Sequence, residues 1–302
     1  RWSPRHAFAG AAVGVAIVVA AAAWFMSTRT PGPSGAAGRV STVAVLPFQN
    51  ITGNPEEDYL GQAVSLELTA RLGQIGAIKV VPWSFMKQFA APNVSFTDAG
   101  ARPGSDAVIE GAVEVAPRTA DGASRPVRVR VQLYQAGTGD LLWTASFARD
   151  MGDFFALQAD IARDVAARIN VALAARERIG VSRARRVSPD AMELYLKARQ
   201  SLESYTDDFE TAIGLFERTI QIEPRFAEAH AALASAFALQ SAYSGSVPSA
   251  EGLRQSLDAA GTALAIDAEL PEAWSARGFA KLALGWDWPG AARDFQRALE
   301  LD

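Results

Sequence analysis

Cysteine is missing from this 302-residue chain. That rules out disulfides, thiolate metal sites and cysteine nucleophiles, and it fits either redox compartment. Histidine is almost as scarce: His6 and His230 are the only two, too few for an imidazole metal cluster or a Ser-His-Asp arrangement. Basic charge is in short supply from Val187 onward, where nine Lys and Arg face eighteen Asp and Glu, a net of −9 against −4 for the whole chain. The preceding part is therefore positive. An acidic surface repels phosphates, so this half is expected to bind no nucleic acid. What is abundant is apolar: 49% of residues are hydrophobic, enough for two compact domains.

Ala7 to Met26, AFAGAAVGVAIVVAAAAWFM, is a run without a charge. As a helix it matches the roughly 30 Å hydrocarbon core of a bilayer, with Trp24 as an interfacial aromatic. The expectation is a short flank at 1–6, a single transmembrane helix at 7–26 and a flexible Pro/Gly/Ser-rich linker at 27–40. A secretory signal peptide, cleaved near Ala21 to Ala23 or Ser34 to Ala37, and a buried core helix are competing readings. Gly10-x-x-x-Gly14 would let two such helices approach and form a homodimer. Arg1 and Arg5 before the run and Arg29 and Arg39 behind it leave orientation nearly undecided. Starting on Arg1 rather than Met, the chain reads as part of a longer protein.

From Thr42 the pattern changes. Thr42 to Phe48 reads as a buried strand ended by Pro47, and Gln49 to Asp58 as a loop. A helix follows, with Leu60, Val64, Leu68 and Leu72 recurring every four residues until Gly73 and Gly76. Ile78 to Trp83 reads as a strand, Ser84 to Phe89 as a short helix, and Gly104 to Val115 as a third strand. Pro126 to Gln135 alternates, Val127, Val129, Val131 and Leu133 against Arg128, Arg130 and Gln132, and Gly137-Thr-Gly139 turns it into Leu141 to Phe147. Phe154 to Ala175 closes the unit as a long helix. Together these predict an α+β domain at 41–175 with helices on one face.

An arginine-rich connector, 176–187, leads to a helical region at 188–302, opened by a cap at Ser188-Pro-Asp190. Ile220-Gln-Ile222-Glu, Leu264-Ala-Ile266-Asp and Leu299-Glu-Leu301-Asp end successive units 44 and 35 residues apart, Ser241 to Ala250 being a longer loop. Ala198, Ala234 and Gly278 share one register, as do the pairs Ala212/Phe216 and Ala291/Phe295. These repeats resemble tetratricopeptide repeats, helical hairpins stacked into a solenoid with a concave inner surface. Arg277 stands where that family usually has Leu. The family's register implies that Tyr195, Arg199, Ser235 and Phe279 line a groove for a protein or peptide partner; Tyr195 and Phe279 can equally be packing residues between hairpins.

The blocks VAVLPFQNITGNPEEDYLG (Val43 to Gly61), DAVIEGAV (Asp106 to Val113), VRVRVQLYQAGTGDLLWTASFARD (Val127 to Asp150) and FALQADIARDVA (Phe155 to Ala166) resemble the TolB-like, FlgO-related N-terminal domain. The chain departs from it at Phe96 to Gly104, where Pro103 and two glycines replace a helix. In that family the domain follows a membrane helix and precedes tetratricopeptide repeats, as in membrane-anchored bacterial regulators of the CadC type. The resemblance implies an inner-membrane, single-pass protein whose residues after Met26 are periplasmic. Its output would come from an unseen effector: a winged-helix transcription regulator first, an adenylate cyclase or protein kinase otherwise. An envelope-assembly scaffold presenting the repeats is the alternative without output.

No residue set reads as catalytic. Glu56, Glu57 and Asp58 cluster, but acidic residues at a helix start suit its dipole. Gly137 and Gly139 lack the third glycine and following helix of a dinucleotide loop. A non-enzymatic protein-interaction segment, with no cofactor and no metal, is the expectation.

Overall fold

The computed structural model describes residues 40–75, 78–89, 104–120, 124–169, 186–203, 209–243 and 249–301, all within one compact unit, Val40–Asp302. Ala7–Met26, with Gly10 and Gly14, lies outside the described residues. The expected fold class and location are corrected by what is described: no helix among these residues is long and apolar enough to cross a membrane. The longest, Ala227–Tyr243 and Ala250–Ile266, have 17 residues each, about 26 Å against a hydrocarbon core of roughly 30 Å, and the second carries Glu251, Arg254 and Asp258. The architecture is an α+β domain joined to helical hairpins. The single transmembrane helix and the single-pass, periplasm-facing placement are not retained.

Strands β1 (Thr42–Val45) and β2 (Gln49–Asn50) run end to end along one edge of β4 (Ala107–Val115), both parallel to it, with Val43 opposite Ala107 and Gln49 opposite Ala112. Pro47, which has no N–H to give a ladder, falls in the gap between them. β3 (Lys79–Val80) pairs with β1 on its far side, and β5 (Pro126–Gln135) and β6 (Leu141–Asp150) add antiparallel strands, giving the order β3-β1-β4-β5-β6. The strand expected at Ile78 to Trp83 shrinks to two residues because Pro82 interrupts it and a helix starts at Trp83.

Helices α1 (Asp58–Gly73) and α3 (Phe154–Arg168) lie on the face formed by Val43, Val45, Ile109 and the odd-numbered valines of β5. The even-numbered residues of β1 and β4 meet helix α2 (Trp83–Met86) and its continuation: Ala44, Leu46 and Val108 pack with Val81, Met86 and Phe89. Helices thus occupy both faces, not one. Gly111 is fixed by close approach, since a Cβ there would sit 2.3 Å from the Phe48 ring.

The rest is three helical hairpins: α4 (Pro189–Glu203) with α5 (Phe209–Ile222), α6 (Ala227–Tyr243) with α7 (Ala250–Ile266), and α8 (Pro271–Gly285) with α9 (Trp288–Leu301). The Ser188 and Ser249 hydroxyls accept from the amides of Ala191 and Gly252, each at 3.2 Å, capping α4 and α7. Small residues let the helices close up: a Cβ at Gly278 would lie 3.0 Å from the Phe295 ring.

Candidate protein-interaction surfaces on the hairpins

The first hairpin is tied to the sheet domain. Phe155 of α3 stacks edge-on against Tyr195 of α4 and Phe226 before α6, at 5.9 and 6.1 Å, and Tyr195 lies 4.9 Å from Phe226 and 6.0 Å from Phe216. One hydrophobic cluster runs from β1 to Phe237. Beside it sits a polar clasp. Arg125 contacts Glu57 and donates to Glu193 at 2.5 Å; Arg118 contacts Asp190 and Glu193; Lys197 pairs with Glu193 at 3.1 Å and lies over the Tyr59 ring. Burial opposes the charge of Glu193, yet Arg125 and Lys197 hold its carboxyl below the usual range.

Glu56, Glu57 and Asp58 therefore point to separate tasks. The Glu56 amide donates to Asn54, Glu57 binds Arg125, and Asp58 accepts from the Asn50 amide at 2.8 Å. Among the described residues no group of three or more His, Asp or Glu is arranged to hold a metal.

The structure places the four groove residues differently. Tyr195 is 6% exposed, and burial pushes its phenol up while the Arg199 charge opposes. Arg199 reaches past α6 to α8, donating to both carboxylate oxygens of Glu272 at 2.9 Å. Ser235 of α6 and Phe279 of α8 are half-buried and keep part of their side chains open. Arg199 thus closes over the inner side of the array at the first hairpin, and Ser235 and Phe279 lie further along it. Glu272 was not singled out in the sequence, since nothing there pairs it with an arginine 73 residues earlier.

Arg277, the departure from the repeat pattern, makes a two-pronged bond to Asp294 at 2.8 and 2.7 Å, with Lys281 also on that carboxylate at 2.7 Å and Trp274 stacked 4.3 Å away. Despite burial, which raises it, these cations keep the Asp294 pKa below its ordinary value. On the opposite side of α6 from Ser235 an open trough of about 550 Å³ lies between α5 and α7. Ile220, Leu233, Phe237 and Ala259 form its floor, and Glu217 and Asp258 its walls.

No family model matches the chain. A curated protein of Rhizobium meliloti (strain 1021), named "Putative adenylate cyclase 3", is 28% identical over 260 residues. That match takes in 82% of this chain. It takes in 40% of the Rhizobium protein, so the chain spans less than half the length of this relative. Among solved structures, the first tetratricopeptide domain of Spaghetti (RPAP3), bound to an HSP90 peptide, is 21% identical, with 37% of this chain and 79% of that one covered at a TM-score of 0.32. The PelC dodecamer of Paraburkholderia phytofirmans is 20% identical, with 43% and 88% covered at 0.33. Likenesses this partial add nothing to the geometry above: the tetratricopeptide-type hairpins are recognised by this chain's own paired helices, small-residue contacts and repeated unit ends.

Proposed function

We propose that this chain is the non-catalytic, partner-binding portion of a signalling protein laid out like the Rhizobium relative, with cyclic AMP synthesis as the output of the whole. The observation that carries this reading is the 28% identity running through 82% of the chain, across sheet domain and hairpins alike. On this reading the sheet domain is of the TolB-like type, and the hairpins receive a protein or peptide on the inner side that Ser235 and Phe279 share. The acidic repeats favour a partner of net positive charge. Binding acts on the output only if it discriminates between two arrangements of the protein.

The test is to measure cyclic AMP formation by the product of the complete gene and by the 302-residue chain alone. The expected result is synthesis by the former, none by the latter, and an altered rate when Ser235→Arg and Phe279→Arg are introduced together. Turnover by the 302 residues alone contradicts the non-catalytic reading. A complete product that forms no cyclic AMP and instead binds DNA returns the account to a CadC-type transcription regulator.

A further inference from the structure

Strand β6 ends the sheet. Among the described residues it pairs with β5 alone, so along its outer side every second residue offers an N–H and a C=O to no strand. Edge strands in folded proteins are commonly blunted by lysine, proline or a bulge toward solvent. Leu141 to Ala148, LLWTASFA, has neither residue and no charge at all. Leu141 and Leu142 are about half exposed, and Trp143, Ala145 and Phe147 are half-buried on the side that carries α3. At ten residues this is as long as any strand in the sheet.

We propose that the free edge of β6 pairs antiparallel with β6 of a second copy, about a two-fold axis through Ala145 that joins two sheets into one. The sequence suits itself in that register. Ala145 faces Ala145, Trp143 faces Phe147 and Thr144 faces Ser146, so two aromatic pairs and two hydroxyl pairs form with no like charges opposed inside the strand. A two-fold axis normal to the sheet also keeps the α3 side of both copies on one face. A second copy is the occupant because this uncharged, self-matching edge is the complement that it needs. This inference is independent of the cyclic AMP reading.

Sedimentation equilibrium on the full 302-residue chain is the test, with two variants of exposed positions. Wild type is expected to dimerise in the micromolar range. Thr144→Lys with Ser146→Lys sets lysine opposite lysine and weakens the dimer by roughly tenfold or more. Thr144→Lys with Ser146→Glu sets lysine opposite glutamate and stays near wild type. Independently of any variant, the outward amides of β6 gain hydrogen-exchange protection as wild-type concentration rises. A wild-type monomer, equal behaviour of the two double variants, or β6 exchange that ignores concentration overturns the proposal, whether the contact then lies elsewhere or with another protein.

Discussion

The first hairpin and the last two follow one plan but are held by different contacts. α4 and α5 share a core with the sheet domain, where Phe155, Tyr195, Phe216 and Phe226 interlock. α6 to α9 meet largely through alanine, in the small clusters Ala231/Ala263/Ala273 and Ala234/Ala260/Ala276. Alanine contacts bring helices close but remove little apolar area from water, so each later interface contributes less than an aromatic one. The first hairpin therefore behaves as part of the sheet domain, and the array proper begins at α6.

The largest expected effect comes from cutting the aromatic joint. Phe226→Ala leaves a cavity between α3, α4 and α6 and costs about 3–5 kcal/mol in urea unfolding. Circular dichroism should show sheet and helix signals lost together.

Removing the arginine of the clasp comes next. Arg125→Ala strands Glu57 and Glu193, both largely covered, at roughly 3 kcal/mol at neutral pH. The same clasp sets a pH dependence. The Glu193 carboxyl is held low in the folded protein, so its contribution is present above the ordinary glutamate range and is lost as pH falls through it toward the folded value. Unfolding measured from about pH 5 down to pH 3 should show stability declining. Arg125→Ala should flatten part of that decline and leave the part due to Asp294.

The smallest effect has the opposite sign and lies at the far end. Trp286 ends α8 in the left-handed region at φ 52° while mostly exposed, near Trp288. Trp286→Gly removes that strain and should raise stability by about 0.5–1 kcal/mol, seen as a higher urea midpoint. Substitution there touches only the last hairpin, so the sheet domain's unfolding should not move.

Much of this architecture was legible in the sequence. The alternation of β5, the four-residue spacing in α1 and the repeated unit ends need only local periodicity. Strand order was not legible, because β1 and β2 share a partner more than 50 residues away. The helix on the second face was missed because the alternation of Val43, Ala44, Val45 and Leu46 shows both faces apolar without saying what covers each. Of the candidate surface, the inward register of Ser235 and Phe279 could be proposed from the repeat. The burial of Tyr195 could not, since the ring that covers it, Phe155, comes from another domain. Arg277 looked like a misfit until Asp294, one helix later, supplied its partner.

Native-state hydrogen exchange on the 302-residue chain tests the central claim most directly. Amides of α4 and α5 should open with the same free energy as those of β4 and β5, and amides of α8 and α9 with a distinctly smaller one. Equal protection along all six hairpin helices, or α4 and α5 opening before the sheet, would contradict the account.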